Sequence, residues 1–112
     1  MIASNRTCRA TLKARTRTQR AAARINRRGH GTLATHALAQ GLSPRDARSM
    51  VGTLRKVAAK LGVVGTAGRI HRGQRMRDCT RYTPMQVGLI CLAYRPRRHA
   101  FKLAAARLSL AA

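Results

Sequence analysis

"GLSPRDARSMVGTLRKVAAKLGV", Gly41–Val63, is the stretch whose reading decides the fold. Ser43 is a good helix N-cap, and Pro44 suits the first helical position, where a missing N–H removes no bond. Asp46 stands three residues after the cap, where an acid can reach back to the cap backbone and favours the positive helix end. Ala47, Met50, Val51, Leu54, Val57, Ala58 and Leu61 then recur at three- and four-residue steps, which predicts one continuous buried stripe. Gly62 ends the pattern. The opposite face carries Arg45, Arg48, Ser49, Gly52, Lys56 and Lys60, with Arg55 at its edge. A glycine inside a helix costs about 1 kcal/mol relative to alanine. Gly52 therefore implies either close approach of another backbone or neutral drift on a solvent face.

Upstream, "TLATHALAQG" (Thr32–Gly41) reads as a short helix of roughly two turns. Thr32 can cap it, Leu33, Ala34, Ala37 and Leu38 repeat at helical spacing, and Gly41 supplies a left-handed end. Residues 1–31 contain Ile2, Leu12 and Ile25 as their only large aliphatics, too little apolar surface to fix a core segment. They are expected to form a flexible basic arm that follows phosphates or enters a groove, carrying Arg15, Arg17, Arg20, Arg24, Arg27 and Arg28. Ala and Arg are good helix formers, so residues 9–28 could become helical against a polyanion.

Downstream, Val63–Thr83 holds three glycines and a short alternating segment. Arg72-Gly73-Gln74 predicts a hairpin tip between "AGRIH" and "RMRDCTRY". On the second strand Met76, Asp78, Thr80 and Tyr82 share one face, and Arg75, Arg77, Cys79 and Arg81 the other. Three arginines on one strand face repel one another unless solvated or paired with phosphate. Thr83-Pro84 opens a further helix over 84–94; a strand over Val87–Tyr94 stays open, because a short apolar run has no decisive period. After Pro96, Phe101, Ala104, Ala105 and Leu108 fall at helical spacing, leaving Leu103 and Leu110 on another face to pack back or to meet a second subunit.

The chain has 112 residues, enough for one small domain, with 24 Lys and Arg against two acids and a net charge of +22. Residues 1–30 hold nine of those basic residues, and the remainder are spread along the rest. The folded part is itself cationic. Self-repulsion of this size opposes folding, and a polyanion would relieve it. Arg outnumbers Lys, which suits bidentate phosphate contacts. With Phe101, Tyr82 and Tyr94 as the only aromatics, the chain has little to stack single-stranded bases on, so duplex or structured nucleic acid fits better.

Short helix, tight turn, long basic helix, glycine-rich basic hairpin, then "RYTP" opening another helix: this order resembles a winged helix-turn-helix DNA-binding domain over Thr32–Leu92. Ala37 and Gly41 stand four apart, as that family's small residue and turn glycine do, and Leu42, Ala47 and Met50 match its apolar positions. His36 and Gln40 depart from the pattern, lying where apolar residues are common. The resemblance implies a mostly α fold with a small β-hairpin: an arm over 1–31, the winged domain over 32–94 and a C-terminal helix over 95–112. It implies base contacts from Arg45, Arg48, Ser49 and Gly52, with phosphate contacts from Arg55, Lys56, Lys60, Arg72, Arg75 and Arg77. It further implies a sequence-preferring double-stranded DNA-binding protein, a transcriptional regulator or DNA-organising factor on the nucleoid, with homodimers formed through the C-terminal helix.

The competing expectation is a structured-RNA binder associated with ribosomes, since extreme basicity and short length are typical there. A cationic membrane-surface protein would need bulky apolar anchors that are nearly absent. The longest apolar run, Val87–Tyr94, falls well short of the roughly 18 residues that span a bilayer. The N-terminus lacks an apolar stretch typical of a signal peptide, although its Arg-rich, acid-poor composition also fits a mitochondrial presequence. Cys8, Cys79 and Cys91 form no CxxC pair and, with the four histidines, no zinc spacing, so no metal or cofactor is expected and a reducing cytosol fits. No P-loop, nucleophile elbow, HExxH or carboxylate pair is present, and His71 with Cys79 is supported by nothing beyond chance, so an enzyme is not expected. The Ala- and Arg-rich, Lys-poor composition points to a GC-rich bacterial or phage source.

Overall fold

In a computed structural model, residues 2–110 are described, with the side chains of residues 2–4 and 72 outside that description. The elements run α1 (Ile2–Arg28), α2 (Leu33–Ala39), α3 (Pro44–Leu61), β1 (Thr66–Arg72), β2 (Arg75–Arg81), α4 (Pro84–Ala93) and α5 (His99–Leu110). The fold is mostly helical, with one antiparallel hairpin.

Hydroxyl caps set three of the helix starts. Thr32 Oγ1 accepts the Thr35 N–H at 3.2 Å, Ser43 Oγ the Asp46 N–H at 3.2 Å and Thr83 Oγ1 the Gln86 N–H at 3.2 Å. In α4 the box is complete, because the Thr83 N–H also donates to Gln86 Oε1 at 2.9 Å. This settles Val87–Ala93 as helix rather than strand. In α3 the acid behaves differently from the expectation. Asp46 Oδ1 accepts from Arg98 Nη1 at 3.0 Å, and the same guanidinium lies 4.6 Å from the centre of the Phe101 ring. The carboxylate thus ties the start of α3 to the start of α5.

Ala47, Met50, Val51, Leu54 and Ala58 are buried on α3 as the stripe requires, while Leu61 is 49% exposed where the helix runs out past its neighbours. They pack with Leu33, Ala37 and Leu42 below and Val87, Ile90, Cys91 and Tyr94 of α4 beside them. Phe101, Ala104, Ala105 and Leu108 of α5 close the core. The C-terminal helix therefore starts at His99, later than the expected boundary at 95; residues 111–112 lie outside the described ones.

The hairpin turn is tighter than the sequence implied. Arg72 pairs with Arg75, so Arg72 belongs to the strand and the turn is Gly73-Gln74. Gly73 has φ +64° and Gln74 is not in the positive-φ region, the pattern of a type II′ turn. Gly65 is held by a different constraint. A Cβ there would come within 2.6 Å of the Arg81 carbonyl oxygen, so only glycine lets β1 begin against β2.

Residues 1–31 were expected as a flexible arm; instead α1 is continuous from Ile2 to Arg28. Its helix-forming composition supplies propensity over a length at which helices persist. Ala21 is buried and Ile25 half-buried where the helix meets α2. The Gly29 N–H then bonds the Ile25 carbonyl at 2.7 Å with Gly29 at φ +75°, which ends the helix.

Candidate nucleic-acid interface

One main-chain atom organises the side of the molecule between α1 and the hairpin. The Tyr82 carbonyl accepts the Gly31 N–H at 3.0 Å, and the Tyr82 N–H returns a bond to the Gly31 carbonyl at 2.7 Å. The same Tyr82 oxygen lies 2.8 Å from His36 Nε2, which carries the donating hydrogen. His36 is 2% exposed, and burial pushes its pKa below the usual imidazole value, with the backbone bonds to Tyr82 and Gly31 acting the other way. A neutral imidazole thus fills the place where an apolar side chain was expected, and its polar edge ties α2 to the end of β2. The other departure, Gln40, is the C-cap of α2, its N–H bonding the Ala37 carbonyl at 3.1 Å.

This joint holds open a groove of about 560 Å³ between α1, α2, α3 and the hairpin. Arg24 reaches it from α1, Arg55 from α3 and Arg77 from β2, over a floor that includes Leu33, Leu38 and Ile70. Two shallower depressions continue it along α1. One, of about 580 Å³, is lined by Lys13, Arg17, Arg20 and Arg24; the other, of about 280 Å³, by Arg24, Arg28, His71 and Arg81. His30 borders the second depression with an enclosed Nδ1 that has no hydrogen-bond partner. The half-buried hairpin face carries Ile70, Cys79 and Arg81 with exposed Arg75 and Arg77, so the three β2 arginines lie on that face, as the alternation implied.

Almost nothing in the chain neutralises this surface. Among the described residues the ion pairs are Asp46 with Arg98 and Asp78 with Arg69, the latter at 3.6 Å between exposed side chains. Such an exposed pair contributes little. The arginines of the groove have no carboxylate partner among the described residues.

Arg45, Arg48, Ser49 and Gly52 are exposed together on α3, with Lys56 and Lys60 further along the same face. Nothing in the chain comes within 4 Å of a Cβ placed at Gly52, so internal packing does not call for the glycine. Arg55 is the one member of that helix that turns into the groove, linking the outer face of α3 to α1 and the hairpin. The side chain of Arg72 lies outside the described residues. Of the arm set, Arg17, Arg20, Arg24 and Arg28 border the groove and its extensions; Arg15 and Arg27 do not. Lys13 and Arg81 were missed. Spacing by threes and fours along α1 would have found Lys13, and Arg81 stood on the strand face already singled out.

The remaining chemistry is structural. Burial raises the Cys91 thiol to about 11, so it stays protonated within the core, and it lifts Tyr94 as well, with Cys91 adding to the rise. His71 pairs with Met76 and Cys79 with Gly68, which puts the two on opposite faces of the hairpin. No group of three His, Cys, Asp or Glu gathers among the described residues, and no helix there is long and apolar enough to cross a membrane. Comparison of the chain with protein-family models, with curated proteins and with solved structures finds no match.

Proposed function

We propose that this chain is a winged helix-turn-helix protein that binds double-stranded DNA with a sequence preference and does no catalysis. The observation that carries the reading is the groove lined by Arg24, Arg55 and Arg77 from three separate elements, where the one acid on the lining, Asp78, is ion-paired with Arg69 and with none of the three. Uncompensated arginines held by independent elements fit a polyanion that spans those elements. The order α2, a four-residue turn with Gly41 at φ +88°, and α3 supports a helix-turn-helix, with α3 as the reading helix. Arg45, Arg48 and Ser49 then face base edges in the major groove, and open space at Gly52 lets the sugar-phosphate backbone come close. Arg55, Lys56, Lys60, Arg75 and Arg77 hold phosphates, with the hairpin as the wing. A regulator or DNA-organising factor on the nucleoid is the role this implies. Two copies would pair through the outer face of α5, where Leu103 and Leu110 are exposed one heptad apart.

The test is competition between duplex DNA, single-stranded DNA and structured RNA at two salt concentrations. Duplex is expected to win at both. Arg48→Ala is expected to lose about 1–3 kcal/mol on the preferred sequence and little on others, while Arg75→Ala weakens all sequences alike and lowers the salt slope by about 1. A preference for folded RNA overturns the reading, and equal losses by both variants on every sequence remove base readout by α3.

A further inference from the structure

The basic residues of α1 are arranged more narrowly than the fold requires. At 100° per residue, Arg6, Arg9, Lys13, Arg17, Arg20, Arg24, Arg27 and Arg28 fall within an arc of about 100°. Arg15 alone lies off it. In residues 17–28 packing against α2 restricts where a charge can stand, since Ala21 is buried and Arg17, Thr18, Ala22 and Ile25 are half-buried. Residues 5–16 have no such restriction, because every one of them is exposed. Arg6, Arg9 and Lys13 were free to stand at any angle, yet they continue the line of Arg17, Arg20 and Arg24.

That alignment weakens the helix. From Arg6 to Arg27 successive members of the stripe are three or four residues apart, the spacing at which like charges on a helix repel. Neither acid of the chain is on α1 to offset them. Thr11, Thr16 and Thr18 also direct their hydroxyls to carbonyls four residues back, a habit that favours bending over straight helix. A solvated helix gains from scattering its charges. A line of them gains from a linear polyanion beside it, and this line runs into the groove at Arg24.

We infer that the Arg6–Arg28 stripe of α1 is a second phosphate-binding edge, which grips the duplex beyond the helix-turn-helix and is stiffened by it. The inference rests on the duplex-binding reading above. From Arg17 to Arg6 the stripe advances about 16 Å, at 1.5 Å per residue. Laid along the duplex axis, that length adds about five base pairs to the bound site, at 3.4 Å per base pair. Arg15, on the far side, takes no part.

The measurement is the salt dependence of duplex binding by the full chain, with Arg6, Arg9 and Lys13 changed together to Gln, and with Arg15→Gln as the control. Each phosphate contact contributes about 0.9 to the slope, so the triple variant is expected to lose about 2.7 units and the control none. Amide exchange gives an independent reading: residues 5–16 are expected to exchange several-fold more slowly once duplex is added to the unaltered chain. An unchanged slope in the triple variant overturns the inference. So does a loss in Arg15→Gln equal to one third of the triple's, which would mark diffuse charge rather than an edge. Arg55→Gln with Arg77→Gln separates the two levels. If that pair loses affinity while the stripe variant does not, the duplex reading stands and the edge falls; if the unaltered chain does not bind duplex, both fall.

Discussion

Helix α3 buries Ala47, Met50, Val51, Leu54 and Ala58 in the core between α2 and α4, begins at a capping serine and stops at a left-handed glycine with φ +73°. Helix α1 is half as long again, carries more charge and buries Ala21 alone among its described residues. Both present arginines to the same groove, yet their rigidity has different sources. The orientation of α3 is set by a core that most of the chain shares. The orientation of α1 is set by its last three turns and by the link through Gly31 to Tyr82. A basic helix can therefore be a firm reading surface or a compliant one, and burial, not charge, decides which.

The largest effect that tests this contrast comes from the α3 side. Leu54 is fully buried, so Leu54→Ala is expected to cost about 2–5 kcal/mol, lowering the denaturant midpoint of the whole domain. A loss below 1 kcal/mol would mean that α3 is not anchored as described. The joint between the two regions is next, and it responds to pH. Burial depresses the His36 pKa, so below the unfolded value of about 6.5 the unfolded chain takes up a proton that the folded chain refuses. Stability is then complete above pH 6.5 and falls as pH drops towards the folded pKa. His36→Gln, which keeps a donor for the Tyr82 carbonyl but does not titrate, is expected to flatten the melting temperature between pH 7 and 5 relative to the unaltered chain. An identical pH profile in both would remove His36 from the account. The smallest effect is on α1: Ala21→Gly is expected to cost about 0.5–1 kcal/mol of helix stability. It should speed amide exchange in α1 while leaving the cooperative melt of the core nearly in place. If exchange in α3 rises equally, the two helices unfold as one unit and the contrast is gone.

The legible parts of the fold were those governed by local rules. Ser43, Pro44 and Gly62 bound α3 because caps and breakers act within a few residues, and the apolar steps through Ala58 named its buried face. Thr83 and Gln86 marked α4 in the same way. The hairpin followed from alternation and glycines, although the pairing of Arg72 with Arg75 needed the register itself. What escaped was non-local. His36 looked out of place because its partner, the Tyr82 carbonyl, is 46 residues away and is main chain, which leaves no trace in composition. Asp46 looked like a capping acid because nothing local announces Arg98, 52 residues on. The arm was read from its lack of large aliphatics, while α1 needs few of them: one buried alanine and a half-buried isoleucine sit where α2 passes. At the interface, the outward face of α3 was readable from the helical period. The meeting of Arg24, Arg55 and Arg77 was not, since three elements must be placed before their side chains converge.

The bonds at Tyr82 bear on how this surface can be tuned. Two of the three donor–acceptor links there are backbone to backbone, and the third ends on a backbone oxygen. The span from α1 to the hairpin is consequently gauged by main-chain atoms and is largely indifferent to which side chains line it. Exchanging arginines on either bank for glutamine or lysine is therefore expected to leave the Gly31–Tyr82 link in place. Width and charge are separable variables in this groove, so a series of such exchanges would titrate electrostatics at fixed geometry.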